Sequence, residues 1–218
     1  MTYRSPTERR HMLARRLKWG VFLFALGVLA LWLDRPVHAL LLGDEAALER
    51  NDWYQMFRAF GFLPTWLLIA GAIALVEHRS QPVRRTGLTI MLSATASGLI
   101  AEILKPILGR HRPDLEGHLV WNPILGAIFD PDKYGSSLGL PSSHAAVAFG
   151  GAMAVAMLYR GAAPVALVAA AGCAVTRLLA GAHAVSDIYL AILIAWAAAK
   201  LSLRLMGDRE TRPQSRFG

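Results

Sequence analysis

The sequence predicts an all-α, polytopic membrane protein with six transmembrane helices and both termini in the cytoplasm. The chain has 218 residues, of which 55% are hydrophobic and 17% are charged, whereas soluble domains carry about 25% charged residues. Apolar runs recur along the whole chain, as they do in polytopic membrane proteins. The net charge of +8 would also suit a nucleic-acid-binding protein, so the positions of the basic residues have to separate the two classes.

Six apolar segments account for the predicted spans. A full crossing takes about 20 mainly apolar residues, and the first segment has only 15 residues between Lys18 and Asp34. It crosses if its flanking basic side chains snorkel towards the membrane surface. The six segments cover residues 19–33, 59–76, 86–104, 144–159, 162–179 and 186–203.

The basic residues set the orientation of these spans. With six crossings, both termini share one side of the membrane with the loops at 77–85 and 160–161, and that side holds 15 of the 23 Lys and Arg residues. Cytoplasmic loops carry the excess of Lys and Arg, so both termini are expected in the cytoplasm. Topology therefore explains the positive charge, and no nucleic-acid partner is expected.

The remaining segments complete a single membrane domain over residues 1–218. We expect a basic cytoplasmic tail over residues 1–18 and an amphipathic interfacial helix within residues 40–58. The basic N-terminus, the first apolar run and the Val-His-Ala sequence at 37–39 also resemble a secretory signal with its cleavage site, and this alternative stays open. The single cysteine, Cys173, excludes an internal disulfide and a cysteine-based metal site.

Seven polar residues are predicted to meet at one depth, at the outer ends of four spans and in the loop beyond the third span. Charged side chains at the ends of apolar helices are energetically costly, so they are candidate site residues. Taken alone, Lys105 and Arg110 would be interpreted as interfacial anchors. The seven are Lys105, Arg110, Arg112, His144, Arg177, His183 and Asp187. Cations, imidazoles and a carboxylate at one depth suit oxyanion binding with proton transfer or nucleophilic attack.

Spacing predicts a specific geometry for two of these residues. His183 and Asp187 are four residues apart, so on a helix they share one face and the carboxylate can hold one imidazole nitrogen. The other nitrogen is then free to act as a nucleophile. Arg112 and Arg177 can each bind a phosphate through a bidentate fork, and Lys105 adds a point charge.

A helix start is predicted at residues 141–144, which read Pro-Ser-Ser-His. Backbone N–H groups at the start of a helix point outward and bind anions. His144 would lie beside such an anion, where it can protonate a departing oxygen.

These residues resemble the motifs of the type-2 phosphatidic acid phosphatase superfamily of membrane lipid phosphatases. The first motif, Lys-x6-Arg-Pro, corresponds to residues 105–113, and the second, Pro-Ser-Gly-His, to residues 141–144. The third, Ser-Arg-x5-His-x3-Asp, corresponds to residues 176–187, with threonine in the first position. The resemblance covers about residues 86–200, the expected catalytic core. Ser143 stands where the family has glycine, which narrows the room for backbone to approach a phosphate.

The resemblance implies a role for each site residue. His183 would attack phosphorus and form a phosphohistidine, Asp187 would orient His183, and His144 would protonate the leaving oxygen. Water would then hydrolyse the phosphoenzyme, and neither a metal nor another cofactor is implied. The residues that would hold the transferring phosphate are Lys105, Arg112, Arg177, Ser142 and Ser143.

The resemblance also implies a substrate class and a location. The substrate would be a lipid phosphate or diphosphate among the membrane lipids at the outer leaflet of a bacterial inner membrane, with the site facing the periplasm. Family members act on polyprenyl diphosphate, phosphatidylglycerophosphate, phosphatidic acid or lipid A phosphates. Undecaprenyl diphosphate and lipid A 1-phosphate are the leading candidates, and the motifs do not separate them.

Two outward segments are expected to select the substrate, because the motif residues are common to the family. The long outward segment at 106–143 contains a loop of about 25 residues between the first two motifs, and this loop is expected to cap the site. Substrate choice is then expected to lie in residues 34–58 and 114–140. The candidate contacts are Trp53, Tyr54, Trp121 and Phe129.

Two other functions remain open at this stage. The same cations would serve an anion transporter or a non-catalytic lipid-phosphate binder, although neither needs a histidine and an aspartate four residues apart. A metal centre at His111, Asp114 and His118 is disfavoured, because these residues lack a recognised ligand spacing.

Two features of the third span are interpreted as structural. Glu102 lies three residues before Lys105 and is expected to pair with it. The small residues of this span indicate close helix packing rather than a substrate path. They are Ser93, Thr95, Ser97 and Gly98.

Overall fold

The computed structural model describes residues 6–76, 81–134 and 137–207. Over these ranges the chain is helical and forms no strand, although two isolated antiparallel bridges, Arg110 with Trp121 and His111 with Leu138, tie the long loop together. A 3-10 turn at Arg160–Ala162 precedes α9. The helices are α1 (Pro6–Leu41), α2 (Glu45–Glu49), α3 (Asp52–Ala59), α4 (Leu63–Val76), α5 (Gln81–Leu108), α6 (Gly126–Phe129), α7 (Pro131–Tyr134), α8 (Ser143–Leu158), α9 (Ala163–Leu179) and α10 (Val185–Gly207).

The helical, multi-pass membrane architecture predicted from the sequence is confirmed. In the part of the chain that the structure describes, four helices are long and apolar enough to cross a membrane, and they correspond to α1, α5, α9 and α10. The helices α3 and α4, bent by 68° at their junction, form a fifth candidate. The predicted fourth span coincides with α8, which is apolar but has 16 residues. Six crossings and their orientation stay predictions.

The first helix is longer than the sequence pattern predicted. It begins at Pro6 and runs for 36 residues, so residues 6–18 are helical, although they were expected to form a tail. Glu, Arg, Ala, Leu and Lys dominate this stretch, and all five favour helix. Residues 1–5 of the expected tail lie outside the described residues, as do the basic residues beyond position 207.

The interfacial helix expected within residues 40–58 is in fact two short helices, α2 and α3. Asp44 breaks the chain after α1 and caps α2, since its side chain accepts a hydrogen bond of 3.0 Å from the N–H of Ala46. A second break at Arg50 and Asn51 separates α2 from α3. The amphipathic helix α3 then packs against α9 and buries Tyr54.

The core of the bundle is built around α8, which packs against α5, α9 and α10. Small residues allow this close approach, because most buried positions of α8 are alanine or glycine. Ser93 Oγ donates a 2.7 Å hydrogen bond to the carbonyl of Gly150, and Ser97 Oγ donates one of 2.7 Å to the carbonyl of Ser93. The packing role expected for Ser93 and Ser97 is therefore confirmed.

Candidate active site

One end of the bundle gathers the predicted site residues. The last turns of α5 and α9 and the first turns of α8 and α10 lie together there. Two contacts join these ends directly. Lys105 Nζ donates a 3.0 Å hydrogen bond to Ser143 Oγ, and the N–H of Ser142 donates one of 3.3 Å to the carbonyl of Asp187. Four separate segments of sequence thus converge, as the common-depth argument predicted.

His183 and Asp187 form the buried centre of this site. His183 lies in the short loop between α9 and α10, and its Nδ1 lies 3.3 Å from Asp187 Oδ2. The same carboxylate oxygen accepts a 2.8 Å hydrogen bond from the N–H of Ala184. The side chains of His183 and Asp187 are 2% and 0% exposed. Because Nδ1 faces the carboxylate, Nε2 is the ring nitrogen left for a substrate.

The loop that carries His183 has a tight local geometry. Gly181 adopts a positive φ of 62°, a conformation that residues with a Cβ rarely adopt. The N–H of Ala182 then turns back to the carbonyl of Arg177 at 3.1 Å. This turn places the imidazole over the start of α10, where Asp187 lies.

The surroundings of His183 favour its neutral form. Burial lowers the pKa of His183 below the ordinary value, and Arg177 and Arg112 lower it further, against the opposing effect of Asp187. A neutral imidazole with one nitrogen on a carboxylate has a free lone pair on the other nitrogen. The group is therefore in the protonation state that a nucleophile requires at neutral pH.

His144 occupies the first turn of α8. Its ring packs edge-on against Phe62, with ring centroids 5.1 Å apart. It lies within electrostatic reach of Arg177, His183 and Arg58. The two histidines therefore face a common region that cations border, as an acid and a nucleophile acting on one phosphate would require.

Lys105 is held in place by two neighbours. Its Nζ donates a 2.7 Å hydrogen bond to Glu102 Oε1, so the predicted pairing of these residues is confirmed. Ser143 Oγ accepts the second hydrogen bond from Nζ. The serine that replaces the family's glycine thus contacts the first phosphate-binding candidate directly.

Ser142 is fully buried and caps α8. Its Oγ accepts a hydrogen bond of 3.4 Å from the N–H of Ala145, and its own N–H is bonded to the carbonyl of Asp187. These contacts fix the start of α8 relative to α10. In this structure the serine positions the helix start.

The two arginines of the motifs lie beside His183. Arg177 is 6% exposed, and its Nε has no hydrogen-bond partner among the described residues. Arg112 interacts electrostatically with both Arg177 and His183. Like charges brought together around a buried site favour an anion between them.

Arg110 is not the interfacial anchor that its position alone suggested. It is 0% exposed, and its Nη2 donates to Asp187 Oδ1. Its Nη1 lies 3.6 Å from Oδ2 of Asp34, a carboxylate in α1 that is also buried. Sequence reasoning treated Asp34 as a boundary of the first span. The only local signal was a charge at the end of an apolar run.

Two further residues near the site, Arg58 and Tyr54, lie in α3 and belong to none of the motifs. Arg58 lies over the Phe62 ring at 5.8 Å from the centroid and within electrostatic reach of His144 and Arg177. Tyr54 is 0% exposed, beside Arg177, and its hydroxyl has no hydrogen-bond partner in the described part of the chain. Glu49 accepts a 2.6 Å hydrogen bond from Arg58.

The four substrate-contact candidates are separated by the fold. Tyr54 lies inside, next to the site, whereas Trp53 and Phe129 are exposed. Trp121 covers the guanidinium of Arg110 at 5.5 Å from the ring centroid. The long loop therefore reaches the buried end of the bundle through Trp121.

An apolar groove opens beside His144. It has a volume of about 350 Å³ and lies between the start of α4, the last turns of α5 and the start of α8. Thr95, Gly98 and Glu102 line it along α5, a distance of about 10 Å for seven residues of helix. Gly98 keeps the packing role that the sequence predicted, since a Cβ there would lie 2.6 Å from Val147 Cγ2 of α8, and Thr95 and Gly98 also border the groove.

The residues considered for a metal centre have other partners. Nδ1 of His118 lies 3.2 Å from Asp114 Oδ2, whereas Nδ1 of His111 lies 2.8 Å from Ser137 Oγ. Over the described ranges no three His, Cys, Asp or Glu residues are grouped as metal ligands.

Comparison with known proteins gives one match. The family model of the PAP2 superfamily matches residues 86–211, which is more than half of the chain. The matched region contains α8, α9, α10, nearly all of α5 and every site residue that the motifs predicted. Asp34, Tyr54 and Arg58 lie outside it. Searches of curated proteins and of solved structures gave no match.

Proposed function

The chain belongs to the PAP2 superfamily, whose members are phosphatases, and we propose that it hydrolyses a membrane lipid phosphate through a phosphohistidine intermediate. The observation that carries this proposal is the buried His183–Asp187 pair among the cationic side chains of three segments. An anion transporter or a passive binder needs the cations but has no use for a neutral imidazole oriented by a carboxylate.

The reaction proceeds in two balanced steps. His183 Nε2 attacks the terminal phosphorus, whose bond to the leaving group breaks at the ester oxygen of a monophosphate or at the bridging oxygen of a diphosphate, and that oxygen takes a proton from His144. Water then attacks the phosphohistidine, the phosphorus–nitrogen bond breaks, and His144 recovers a proton from that water. Lys105, Arg112 and Arg177 stabilise the charge on the phosphoryl oxygens in both steps. No step requires a metal ion.

The groove beside His144 supports a lipid substrate. The group that leaves must lie on the side of the acid, and on this side the protein offers an apolar channel about two helical turns deep. Phe62 and Leu99, which line it, are partly exposed on the outside of the bundle. A hydrocarbon chain attached to the leaving oxygen fits this groove, whereas a small soluble phosphate ester would leave it empty.

The cations favour a substrate with more than one negatively charged group. Lys105, Arg112 and Arg177 are the set that the family motifs supply for one phosphate, and Arg58 adds a fourth cation near His144. We therefore place undecaprenyl diphosphate first and lipid A 1-phosphate second, with the site facing the periplasm from a bacterial inner membrane. Phosphatidylglycerophosphate and phosphatidic acid complete the set.

The decisive experiment measures inorganic phosphate released by the purified protein in detergent with EDTA. The panel contains the four lipids named above, and His183→Gln serves as the matched variant. We expect release from at least one lipid and a loss of at least about 10³-fold in kcat for the variant, because no covalent intermediate can form without the nucleophile.

Two outcomes would overturn the proposal. Full activity of His183→Gln would exclude the phosphohistidine route. Binding of the lipids by folded protein without phosphate release would assign the site to a binder or transporter. Quenching a reaction with ³²P-labelled lipid in alkali adds an independent readout, since a phosphohistidine keeps its label on the protein in alkali and loses it on later exposure to acid.

A further inference from the structure

A buried row of alternating charges ends on the proposed nucleophile. It runs from Asp34 in α1 through Arg110 and Asp187 to His183. All four side chains are at most 2% exposed. The motifs account for the last two of these residues, and the first two have no assigned role.

Asp34 is tied to two partners at once. Its Oδ1 accepts a 2.8 Å hydrogen bond from the N–H of Ser186, and its Oδ2 accepts one of 2.5 Å from Ser186 Oγ. Its Oδ2 also faces Arg110 Nη1 at 3.6 Å. The carboxylate therefore fixes α1 to the first turn of α10, one residue before Asp187.

Arg110 holds the other oxygen of the Asp187 carboxylate. Asp187 Oδ1 accepts from Arg110, while its Oδ2 faces His183 Nδ1 and accepts from the N–H of Ala184. Trp121 covers the guanidinium. With both oxygens engaged, the Asp187 carboxylate has a single orientation towards the imidazole.

We propose that Asp34 and Arg110 are positioning residues for His183 and that the first helix thereby completes the active site. This inference rests on the proposed function. Arg110 orients Asp187, and Asp34 balances the charge of Arg110. The two carboxylates and the guanidinium together carry a net charge of one negative unit. Without Asp34 they would carry none.

The charge balance matters because the imidazole becomes positive as it bonds to phosphorus. A net negative group at Nδ1 stabilises that charge in the transition state, as the carboxylate of a catalytic triad does. Substrate binding depends instead on Lys105, Arg112 and Arg177. Loss of the Asp34 charge should therefore lower kcat and leave KM nearly unchanged.

Asp34→Asn tests the charge while keeping the size of the side chain. We expect kcat to fall about tenfold to 100-fold, by analogy with the loss on removing a hydrogen-bond partner of a metal-ligating histidine, with KM within about twofold of the wild type. The control is Arg204→Gln, which removes an exposed charge in the last turn of α10, and we expect it to behave as the wild type. The intact mass of each protein verifies that α1 is present.

The pH profile separates an electrostatic role from a purely structural one. The groups that face His183 are Asp187 from α10, Arg177 from α9, His144 from α8 and Arg112 from the loop. None of these changes in Asp34→Asn. Removing a nearby negative charge disfavours the protonated imidazole, so the pKa of His183 should fall. The acid limb, which is the rise of kcat/KM with pH as His183 loses its proton, should then move to lower pH.

A second variant keeps the test informative if Asp34→Asn unfolds. Arg110→Lys retains the charge but loses the planar guanidinium that contacts both carboxylates. We therefore expect a reduced kcat and an unchanged low-pH side of the profile of kcat/KM against pH. An unchanged kcat in both variants, or a lower kcat with no shift of the acid limb in a folded Asp34→Asn, would overturn the inference.

One measurement does not depend on turnover. Nuclear magnetic resonance of ¹⁵N-histidine-labelled protein follows the titration of His183, which is assigned by its absence in His183→Gln. We expect a lower pKa in Asp34→Asn than in the wild type, and an equal pKa would contradict the inference. An inactive wild type with this shift would refute the proposed function alone.

Discussion

The two parts of the molecule contribute to the site in different ways. The matched region, residues 86–211, supplies the proposed nucleophile, the acid and the motif cations on α5 to α10. The N-terminal region, α1 to α4, supplies Asp34, Tyr54 and Arg58, none of which belongs to a motif. The proposed chemistry thus lies in the region that the family model matches, while the proposed positioning and substrate-fitting residues lie in the region that it does not cover.

The largest effect in this comparison is expected from His144 in the matched region. His144→Gln should lower kcat for a lipid phosphate by about 10²–10⁴-fold, the usual contribution of a general acid. An aryl phosphate such as p-nitrophenyl phosphate needs no protonation of its leaving group, so its loss should be much smaller. Parallel kcat measurements on the two substrates give the ratio.

The outcome for His144 tests the assignment of chemistry to the matched region. An equal loss on both substrates would mean that His144 positions the phosphate and does not protonate the leaving oxygen. His118→Gln is the matched control, because His118 is exposed in the long loop and bonded to Asp114. It should leave both rates unchanged.

A smaller effect with a different signature is expected from α3. Arg58→Gln should reduce kcat/KM for a diphosphate about tenfold, equal to roughly 1.4 kcal/mol for one charged contact. The effect on a monophosphate of the same lipid should be less than about twofold. The ratio of the two kcat/KM values is the readout, since a loss of folded protein changes both equally.

The control for Arg58 lies nearby in sequence. Arg50 is exposed at the end of α2, so Arg50→Gln removes the same charge without approaching His144. A tenfold loss on both substrates in Arg58→Gln would assign Arg58 to the catalytic cations. The N-terminal region would then supply a catalytic cation, and the catalytic residues would no longer be confined to residues 86–211.

The sequence predicted the parts of this site that depend on short spacing. His183 and Asp187 lie four residues apart, and their side chains meet as predicted, although His183 lies in the loop before α10 and not on the helix that the spacing argument assumed. Lys105 and Glu102 are a similar case, three residues apart on α5. Local spacing on a helix is sufficient to predict the second contact, whereas the first also depends on the turn at Gly181 that precedes α10.

The parts that the sequence did not predict depend on tertiary packing. Asp34 and Ser186 are 152 residues apart and meet only because α1 packs against α10. Arg110 resembled an interfacial anchor because nothing near it in sequence shows that it will be buried and will pair with carboxylates from two other helices. Thr95 and Gly98 have the composition of a packing face, and only the arrangement of α4, α5 and α8 shows that they also line a groove.

The smallest effect is expected where the two regions meet, at the groove between α4 and α5. Thr95→Phe places a bulky ring in the proposed path of the hydrocarbon chain. Loss of one or two methylene contacts, at about 0.8 kcal/mol each, should raise KM for a long-chain lipid by a factor of about 4 to 15. A short-chain analogue does not extend to this depth, so its KM should stay unchanged.

The control adds the same ring to another position of α5. Ile103 is exposed and does not line the groove, so Ile103→Phe should leave both KM values as in the wild type. An equal rise for long and short chains in Thr95→Phe would mean that the ring disturbs the site itself. No rise for either would place the hydrocarbon chain elsewhere, and α4 would then lose its part in substrate fit. A rise confined to the long chain would extend the contribution of the N-terminal region from the headgroup to the lipid tail.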